Sequence, residues 1–569
     1  MRHRILVFCC LAVQVAPLRE CLAWQANGIP VCIAAGSQVT PACVPDGTGG
    51  AIIVWLDLPN GNDGDIYAQR ITGSGAVAPG WPSNGLPVCV QPGHQGGLQG
   101  WFPVPVIEDG FSGAFIAWHD YRSGTDYDIY LQRITAHGKI APGWPLNGRL
   151  ICDAPMSQSG PVLAPDGTGG VFLVWADNRT APSDDQFYLY GDLYAQRVSA
   201  QGSIAPGWPT NGLAVSTVMN ASNHQTILAD GSGGAFIAAS ELGRMNMHRI
   251  TSSGARAAGW PAEGVNVGAD ACSDGHVQLI SDGAGGVIAG WEGFGGACQF
   301  NASVTHIQRL TGQGLVAPGW PQDAFYIGDG SLSHTFPRVV ANGAGGVLFT
   351  WDNGAPELYL QQLDSSGTVA PGWPSGQGVA LSTYVAGEPD LVSDGLGGAI
   401  VAWTDFDNVL AQRRLNDGSI APGWPVAVAA PGQQKEVRVT TDNAGGAVFV
   451  WTDTRNGNAD IYCLRLGPTG LIPTAVYNDV LDRGEVGPTW PNPFREEVSV
   501  LLRLTSAGPV SFQIFDTSGR RIYASRPFWS TSLLWNGRDH AGLPAPNGVY
   551  FMQILAPTFS ATRKVVLSR

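Results

Sequence analysis

The stretch DGTGGAIIVW (Asp46–Trp55) decides the fold, because variants of it recur along most of the chain. Its pattern is [D/N]-x-x-[G/S]-G followed by an apolar run, which ends in tryptophan in every copy except the fourth, where Ala239 stands. Eight copies begin at Asp46, Asp109, Asp166, Asp230, Asp282, Asn342, Asp394 and Asp442. Their mean spacing is about 57 residues, and a fixed period of this length indicates a repeat architecture.

Each copy contains the residues of four short strands. In the first copy the motif strand is followed by DIYAQRIT (Asp65–Thr72), an APGWP segment and an apolar run at Leu86–Val90. A further apolar stretch precedes each motif, and four short strands are the content of one propeller blade. Glycine (77) and proline (40) make up about a fifth of the 569 residues, and only 13% are charged. This composition excludes a helical bundle, a coiled coil and charge-driven disorder.

The two ends of the repeat array complement each other. Trp24–Cys32 (WQANGIPVC) resembles Trp81–Cys89 (WPSNGLPVC), so the mature chain is expected to begin with the last strand of a repeat whose first three strands do not precede it. The eighth copy, conversely, has no GWP segment after Arg465. We therefore predict an all-β fold, an eight-bladed β-propeller over residues 24–475 whose ring is closed by the N-terminal strand, in preference to an open solenoid.

The lengths of the connections divide each repeat into a constant and a variable end. We name the four predicted strands A to D. The A–B and C–D connections keep their lengths, whereas the B–C connection and the one from D to the next A vary. Alternate connections of an antiparallel sheet lie at the same end, so the constant ones share the fixed end and the others share the variable end. Binding residues are commonly carried on variable loops, so we predict the binding face at the variable end.

The N-terminus predicts export. Arg2 and Arg4 precede the apolar run Ile5–Ala16, and small residues follow by Ala23, a pattern typical of a secretory signal peptide over residues 1–23. No later segment has the apolar length of a membrane-spanning helix. The net charge is −14, and no basic run exists that could follow a phosphate backbone, which argues against nucleic-acid binding.

Cysteine usage leaves the disulfide pattern open. Seven cysteines remain after removal of the signal peptide, an odd number, and none forms a CxxC pair that would indicate structural zinc. Cys272 and Cys298 fall within one repeat and form a candidate disulfide.

The C-terminal part has a different pattern, which we assign to a linker (476–488) and a separate domain (489–569). Its landmarks are PNPF (Pro491–Phe494), FDTSGRRI (Phe515–Ile522), WNGRDHAG (Trp535–Gly542), PNGVYF (Pro546–Phe551) and RKVVL (Arg563–Leu567). This set resembles the immunoglobulin-like domain of flagellar hook-capping proteins and the related C-terminal sorting domain of type IX secretion cargo. The resemblance implies a β-sandwich that serves as a secretion and surface-attachment signal, with the sorting machinery as its partner. A plain accessory sandwich is the alternative.

Motifs for catalysis are absent from the sequence. It contains no HExxH and no GxSxG, and we predict no catalytic residue. Carboxylates cluster in the B–C connections at Asp57, Asp63, Asp65, Asp120, Asp126 and Asp128. They suit either a structural calcium ion, the one cofactor that the sequence suggests, or hydrogen bonds that brace the loops, as the Asp120–x–Arg122 spacing indicates. Bracing is the preferred interpretation.

The two longest variable connections belong to neighbouring repeats and carry the candidate ligand-binding residues. These are Trp101, Phe102, His119, Tyr121, Phe187, Tyr188 and Tyr190. Aromatic side chains among carboxylates suit stacking on sugars or gripping a peptide. The predicted function is a non-catalytic, exported bacterial surface protein that binds a glycan or a protein partner. The alternative is a secreted carbohydrate-active enzyme, a glycosidase or lyase, whose carboxylates come from several blades around the central opening.

Overall fold

The computed structural model of the chain describes residues from Trp24 to the C-terminal Arg569, with gaps. The described ranges are 24–59, 64–96, 103–180, 191–221, 224–268, 272–294, 303–327, 335–353, 357–382, 387–405, 407–428, 430–473, 485–490, 492–495, 497–503, 510–517, 519–526, 532–555 and 560–569. Within them the regular structure is entirely β, and no helix is long and apolar enough to cross a membrane. The all-β prediction is confirmed.

The repeat region forms short strands throughout its described residues. They are β1 (Ile29–Cys32), β2 (Ser37–Pro45), β3 (Ala51–Leu58), β4 (Asp65–Ile71), β5 (Leu86–Cys89), β6 (Val106–Glu108), β7 (Ala114–Asp120), β8 (Asp128–Ile134), β9 (Arg149–Cys152), β10 (Gln158–Pro165), β11 (Val171–Asp177), β12 (Gly191–Val198), β13 (Leu213–Ala221), β14 (Thr226–Ala229), β15 (Ala235–Glu241), β16 (Arg244–Ile250), β17 (Val265–Asn266), β18 (Cys272–Ser281), β19 (Val287–Phe294), β20 (Ser303–Leu310), β21 (Phe325–Ile327), β22 (Thr335–Ala341), β23 (Val347–Asp352), β24 (Leu358–Leu363), β25 (Val379–Ser382), β26 (Asp390–Ser393), β27 (Ala399–Thr404), β28 (Val409–Arg414), β29 (Val426–Val428), β30 (Gln434–Thr441), β31 (Ala447–Asp453) and β32 (Asp460–Leu466).

These strands form four-stranded antiparallel sheets, one after another along the chain. The orders are β2-β3-β4-β5, β6-β7-β8-β9, β22-β23-β24-β25 and β26-β27-β28-β29. Strands β10 to β21 belong to three successive repeats, whose sheets are joined at their edges by the pairs Ala221↔Glu241 and Arg244↔Cys272. The last sheet has the order β1-β32-β31-β30, with Ile29 opposite Cys463. The N-terminal strand thus supplies the fourth strand of the eighth repeat.

The first strand of each repeat lies on the inside of the array. Strands β2, β6, β10, β14, β18, β22, β26 and β30 contact one another in that order, and β30 contacts β2. The strand register places the fixed and variable ends of the sheet as predicted. Gln38, near the start of β2, lies opposite Asp57, and Asp57 lies opposite Asp65 at the start of β4. The B–C and D–A connections therefore share one end of the sheet, the variable end.

At the fixed end, neighbouring repeats are joined by one recurring set of hydrogen bonds, which we call the latch. In the first repeat, Asp46 Oδ1 accepts the backbone N–H groups of Thr48 (2.7 Å) and Gly50 (2.8 Å), which closes the motif turn. Asp46 Oδ2 accepts Arg70 Nε at 3.0 Å. Arg70 Nη1 and the indole N–H of the GWP tryptophan, Trp81, both donate to the main-chain carbonyl of residue 136 in the next repeat, at 3.1 and 2.9 Å.

The latch recurs around the array. The carbonyls that accept from both a GWP-type tryptophan and a motif-paired arginine belong to Ala136, Ala200, Ser252, Gly312, Ser365, Pro468 and Gly73. The last of these lies in the first repeat and accepts from Trp24 (3.0 Å) and Arg465 (2.9 Å). The sixth repeat uses Gln362 and Trp373 on Asn416. The tryptophans are packing anchors that hold adjacent repeats together.

The strand-end tryptophans pack in the core and are usually stacked on a tyrosine of the next strand. Such tyrosines lie opposite Trp55, Trp118, Trp175, Trp351 and Trp451. In the fifth repeat His306 takes this place and stacks on Trp291 at 5.2 Å between ring centroids. Burial lowers the pKa of His306 from 6.5 to about 4, because the imidazolium is poorly solvated there.

This histidine predicts an acid-sensitive fifth repeat. Unfolded chains bind a proton at His306 below about pH 6.5, whereas the folded chain does so only near pH 4, so stability is lost as the pH falls between these values. His306→Tyr, which restores the residue found in five other repeats, is expected to reduce the fall in melting temperature between pH 7 and pH 4.5. The exposed His540 provides the control His540→Tyr. Parallel pH profiles for wild type and His306→Tyr would contradict this assignment.

The C-terminal strands form a separate pair of antiparallel sheets. They are β33 (Glu485–Trp490), β34 (Val498–Arg503), β35 (Ser511–Asp516), β36 (Arg521–Ala524), β37 (Ser532–Trp535), β38 (Gly548–Leu555) and β39 (Ser560–Leu567). The orders are β33-β34-β37 and β36-β35-β38-β39, around a core that includes Phe494, Phe512, Trp535 and Met552. Strand β33 begins at Glu485, so the last residues of the predicted linker are part of a sheet.

The landmark motifs of this C-terminal part hydrogen-bond to one another. Asn492 Oδ1 accepts the N–H of Val566 (2.7 Å), which ties PNPF to the closing strand. The terminal Arg569 donates to the carbonyls of Gly537 (2.8 Å) and Ala545 (3.1 Å), beside the WNG and PNG turns. The motifs thus fix the two ends of this fold to each other.

Candidate functional site

The first strands of several repeats are bulged near the variable end. The register shifts lie within Val39–Ala42, Ser159–Val162, Ser273–Gln278, Thr335–Arg338 and Lys435–Arg438. Thr40, His276 and Glu436 take positive φ angles of 50°, 48° and 55° at this point, and Gly160 takes 59°. Left-handed backbone costs about 1–3 kcal/mol for a residue with a side chain, and such strain clusters at functional sites.

The residues at these bulges occupy the same positions in each repeat when counted back from the motif. The positive-φ residues all stand six positions before the motif, and a second set of inner residues stands four positions before it. We call the two sets the mouth ring, because the first strands form the inner wall of the array. The set six before the motif is Thr40, Pro103, Gly160, His224, His276, Phe336, Glu388 and Glu436. The set four before it is Ala42, Pro105, Val162, Thr226, Gln278, Arg338, Asp390 and Arg438.

The acidic and arginine members of the mouth ring all come from repeats six to eight. Arg338 Nη2 and Arg438 Nη2 both contact Glu388 Oε2, at 2.8 and 3.1 Å, and Arg338 Nε lies 3.8 Å from Asp390 Oδ1. The side chain of Glu388 is 28% exposed, and those of Arg338 and Arg438 are 14% and 16% exposed. We call these four residues the Arg–Glu cluster. It joins three consecutive repeats and remains open to solvent.

Other polar members of the ring connect neighbouring repeats through the backbone. Asp390 Oδ2 accepts the N–H of Val439 (2.8 Å), and Gln278 Oε1 accepts the N–H of Val339 (3.0 Å). Glu436 Oε2 accepts the N–H of Thr40 (2.7 Å) and so joins the eighth repeat to the first. These side chains have structural partners. Among the described residues, Glu388 hydrogen-bonds only to the two arginines.

The neighbouring part of the mouth ring contains two histidines, His224 and His276. The rings of His224 and His276 lie 4.3 Å apart, and His276 Nδ1 lies 3.1 Å from Glu292 Oε2. The pKa of His224 is lowered to about 4, chiefly by burial and then by His276, although the negative charges of Glu292 and Glu388 oppose this shift. His224 is therefore neutral at pH 7, and it lies within electrostatic range of two carboxylates.

Only part of the predicted ligand-binding set can be placed. Trp101, Phe102, Phe187, Tyr188 and Tyr190 lie outside the described residues. His119 and Tyr121 are brought together by Tyr127, whose ring lies 5.0 Å from each.

The environment of His119 differs from the exposed aromatic surface that the sequence suggested. Its side chain is only 4% exposed. Burial, and secondarily the neighbouring His94, lowers its pKa to about 3. Its Nδ1 lies at the limit of hydrogen bonding, 3.5 Å from the N–H of Gly160 in the mouth ring.

The bracing interpretation of the Asp–x–Arg pairs is confirmed by their contacts. Asp120 Oδ2 accepts from the indole of Trp118 (2.7 Å) and from Arg122 Nη2 (2.6 Å), and the guanidinium lies 3.8 Å from the Tyr130 ring centroid. The pairs Asp177–Arg179 and Asp453–Arg455 repeat this arrangement. In the first repeat Asp57 instead accepts Gln38 Nε2 at 3.0 Å.

The predicted calcium and disulfide positions are only partly described. Asp63 and Cys298 lie outside the described residues, and the Cys272 pairing stays a prediction. Asp65, Asp126 and Asp128 lie at the variable end. Burial, with Asp126 as the next cause, raises the pKa of Asp128 to about 7. In the described part of the chain, no group of three or more His, Cys, Asp or Glu side chains is arranged to hold a metal ion.

A chelator distinguishes calcium from bracing at these carboxylates. Because the Asp120 oxygens already accept from Trp118 and Arg122, we expect an excess of EGTA to leave the melting temperature of the protein unchanged. A melting temperature that falls with EGTA and recovers with added calcium would instead establish the metal site.

Loop length and aromatic content, the two sequence features that indicated candidate ligand residues, do not point to the Arg–Glu cluster. Its four members are spread over three repeats, and Arg338, Glu388 and Arg438 are each 50 residues from the next. They become visible in the sequence when the eight repeats are aligned and the residues six and four positions before each motif are compared. Acidic and arginine residues accumulate there in repeats six to eight, whereas repeats one to three carry neutral residues.

Comparisons with known proteins give no family. No protein-family profile and no curated protein matches the chain. It is similar to the solved structures of a leech intramolecular trans-sialidase (13% identity, TM-score 0.32, 78% of this chain and 71% of that chain) and of oligopeptidase B from Leishmania major (11%, 0.40, 74% and 54%). A third is the six-bladed β-propeller lectin of Aleuria aurantia (10%, 0.29, 55% and 97%). With every TM-score below 0.5, these similarities carry no argument about what this chain binds or does.

Proposed function

We propose that residues 24–475 form an eight-bladed β-propeller whose central opening, at the variable end, binds a ligand without chemical conversion. Support for the eight-bladed ring comes from the inner strands, each of which contacts the next, and from β30, which contacts β2. The latch between Arg465 and Gly73 supports the same closure.

One observation carries the proposal of binding. Charged side chains from three consecutive repeats meet at the variable end, while the latch arginines of the fixed end, such as Arg413, are bonded to a motif aspartate and a neighbouring carbonyl. Polar groups that meet in a concavity and keep free hydrogen-bonding capacity are typical of ligand sites. The ligand class we propose is a glycan or a protein partner.

We further propose that the chain is exported to the bacterial surface and that residues 489–569 act as an immunoglobulin-like sorting or attachment domain. The signal-peptide pattern of residues 1–23 and the order of the C-terminal motifs support this proposal. Hydrogen bonds link PNPF to the closing strand, and Arg569 to the WNG and PNG turns, which supports a shared structural role for these motifs in one domain.

A second candidate function is a glycosidase or lyase acting at the same opening. It is favoured by one observation: Glu292 and Glu388 both influence the pKa of His224, so two carboxylates from different repeats lie near one side chain. Glycosidases use two carboxyl groups on either side of the scissile bond. Released sugars that disappear in both Glu292→Gln and Glu388→Gln would establish this function.

The test of binding uses residues 24–569 against a panel of immobilised polysaccharides and peptides, with both retained protein and released sugar measured. We expect retention without release. His224→Ala, at the mouth, is expected to weaken binding at least fivefold because it removes a ring next to His276. Arg256→Ala, an exposed residue at the fixed end of the same repeat, is the control. No retention of any probe, or equal binding by all three proteins, would contradict the proposed site.

A further inference from the structure

The Arg–Glu cluster has a composition that selects among ligands, and this inference rests on the proposed binding function. Arg338 and Arg438 carry two positive charges, and Glu388 and Asp390 carry two negative ones. Local charge is therefore balanced, while the chain as a whole has a net charge of −14. Neither the balanced cluster nor the negative net charge of the chain favours a polyanion.

The hydrogen-bonding capacity of the cluster is only partly used. A latch arginine such as Arg413 donates through Nε and Nη2 to Asp394 and through Nη1 to the carbonyl of Pro468. Arg338, in contrast, makes one hydrogen bond within the described residues, from Nη2 to Glu388. Arg438 donates to Glu388 and to its neighbouring Val437 carbonyl. A guanidinium has five N–H donors, so both keep donors for a ligand.

Glu388 supplies the matching acceptor. Both arginines donate to its Oε2, which leaves Oε1 without a hydrogen bond to any described residue. The carboxylate is 28% exposed and is flanked by the two guanidinium groups. A donor and an acceptor therefore stand side by side at the mouth, and both are charged, which strengthens their hydrogen bonds to a neutral ligand.

We propose that the Arg–Glu cluster is a subsite for a neutral saccharide and that it recognises two adjacent hydroxyl groups. One hydroxyl oxygen accepts from Arg338 or Arg438, and the neighbouring hydroxyl donates to Glu388. A hydroxyl can do both, whereas a carboxylate ligand only accepts, cannot donate to Glu388 and is repelled by its negative charge. The sign of the effect of removing the Glu388 charge therefore distinguishes the two ligand chemistries.

The experiment measures dissociation constants of residues 24–569 by calorimetry. The neutral probes are hexasaccharides of β-1,4-glucose, β-1,3-glucose, β-1,4-mannose and β-1,4-xylose, and the acidic probe is hexagalacturonate. We expect a neutral hexasaccharide to bind in preference to hexagalacturonate. Glu388→Gln, Arg338→Ala and Arg438→Ala are each expected to weaken it at least tenfold.

Two further variants keep the test decisive. Arg438→Lys retains the charge beside Glu388 but loses the planar fork, and it is expected to weaken binding about fivefold or more with an unchanged melting temperature. Arg256→Ala, at the fixed end, is expected to bind like wild type.

Several results would overturn the subsite. They are tighter binding by Glu388→Gln, preference for hexagalacturonate, and an absence of binding to every neutral probe. If His224→Ala weakens a bound glycan but the cluster variants do not, the subsite assignment is wrong and the proposed function stands. Peptide capture with no glycan binding would likewise reject the subsite while leaving the opening as a protein-binding site.

Discussion

Asp394→Asn should lower the free energy of unfolding by about 3–5 kcal/mol, the range found when one partner of a buried ion pair is removed. Asp394 and Arg413 are among the most buried latch residues, with side chains 0% and 7% exposed. Asp394 also accepts the N–H groups of Leu396 and Gly398, both at the motif turn. Urea unfolding of the purified protein, followed by tryptophan fluorescence, measures the loss.

The sixth repeat supplies the control for this substitution. It carries Asn342 and Gln362 at the two positions, and Asn342 Oδ1 still accepts the N–H groups of its own turn at 2.9 Å. The double variant Asp394→Asn/Arg413→Gln leaves no unpaired charge and is expected to recover more than half of the loss. If the double variant is as unstable as Asp394→Asn, the cost comes from the turn and not from the stranded arginine.

Removal of residues 24–33 should have an even larger effect on stability, because it takes away the strand that completes the last sheet. Trp24, Ile29 and Val31 are buried, and full burial of such side chains is worth roughly 1.5–3 kcal/mol each. The truncation also removes the Trp24 bond to Gly73 and leaves β32 with an unpaired edge. We expect a melting temperature lower by at least 10 °C and concentration-dependent aggregation.

Complementation in trans tests whether this strand acts by pairing. A synthetic peptide of residues 24–36, added to the truncated chain, is expected to raise its melting temperature, whereas a peptide of the same composition in scrambled order is expected to have no effect. An unchanged melting temperature after truncation would contradict closure of the array through β1.

The latch explains why so much of the repeat region could be predicted. The motif aspartate binds N–H groups two and four residues ahead of it, so the turn is specified within five residues of sequence. Its arginine follows 19 to 31 residues later, as at Arg249 and Arg197, and wherever a GWP tryptophan follows, the arginine lies 11 residues before it. Interactions between residues close in sequence require the same residue types at the same spacing in each repeat. The sequence is therefore periodic, and this periodicity predicts the all-β sheets.

The candidate ligand residues could not be predicted in the same way from the repeat pattern. Long loops with aromatic residues drew attention to repeats two and three, where His119 proves to be buried against Tyr127. An alternating strand pattern does not reveal which inner residue stands on a bulge. The left-handed residues at Thr40, His276 and Glu436 become recognisable as one set only when the repeats are aligned backwards from the motif.

The sequence alone determined the period, the four strands of each repeat and the division into a fixed and a variable end, because each depends on spacing within about 60 residues. Tertiary structure alone decided that Arg338, Glu388 and Arg438 form one cluster. Their side chains are separated by 50 residues at each step, and only the arrangement of successive sheets, with their bulged inner strands, brings them within hydrogen-bonding distance. The spacing of residues along the chain reflects local hydrogen bonds, whereas contacts between side chains of different repeats depend on how successive sheets pack against one another.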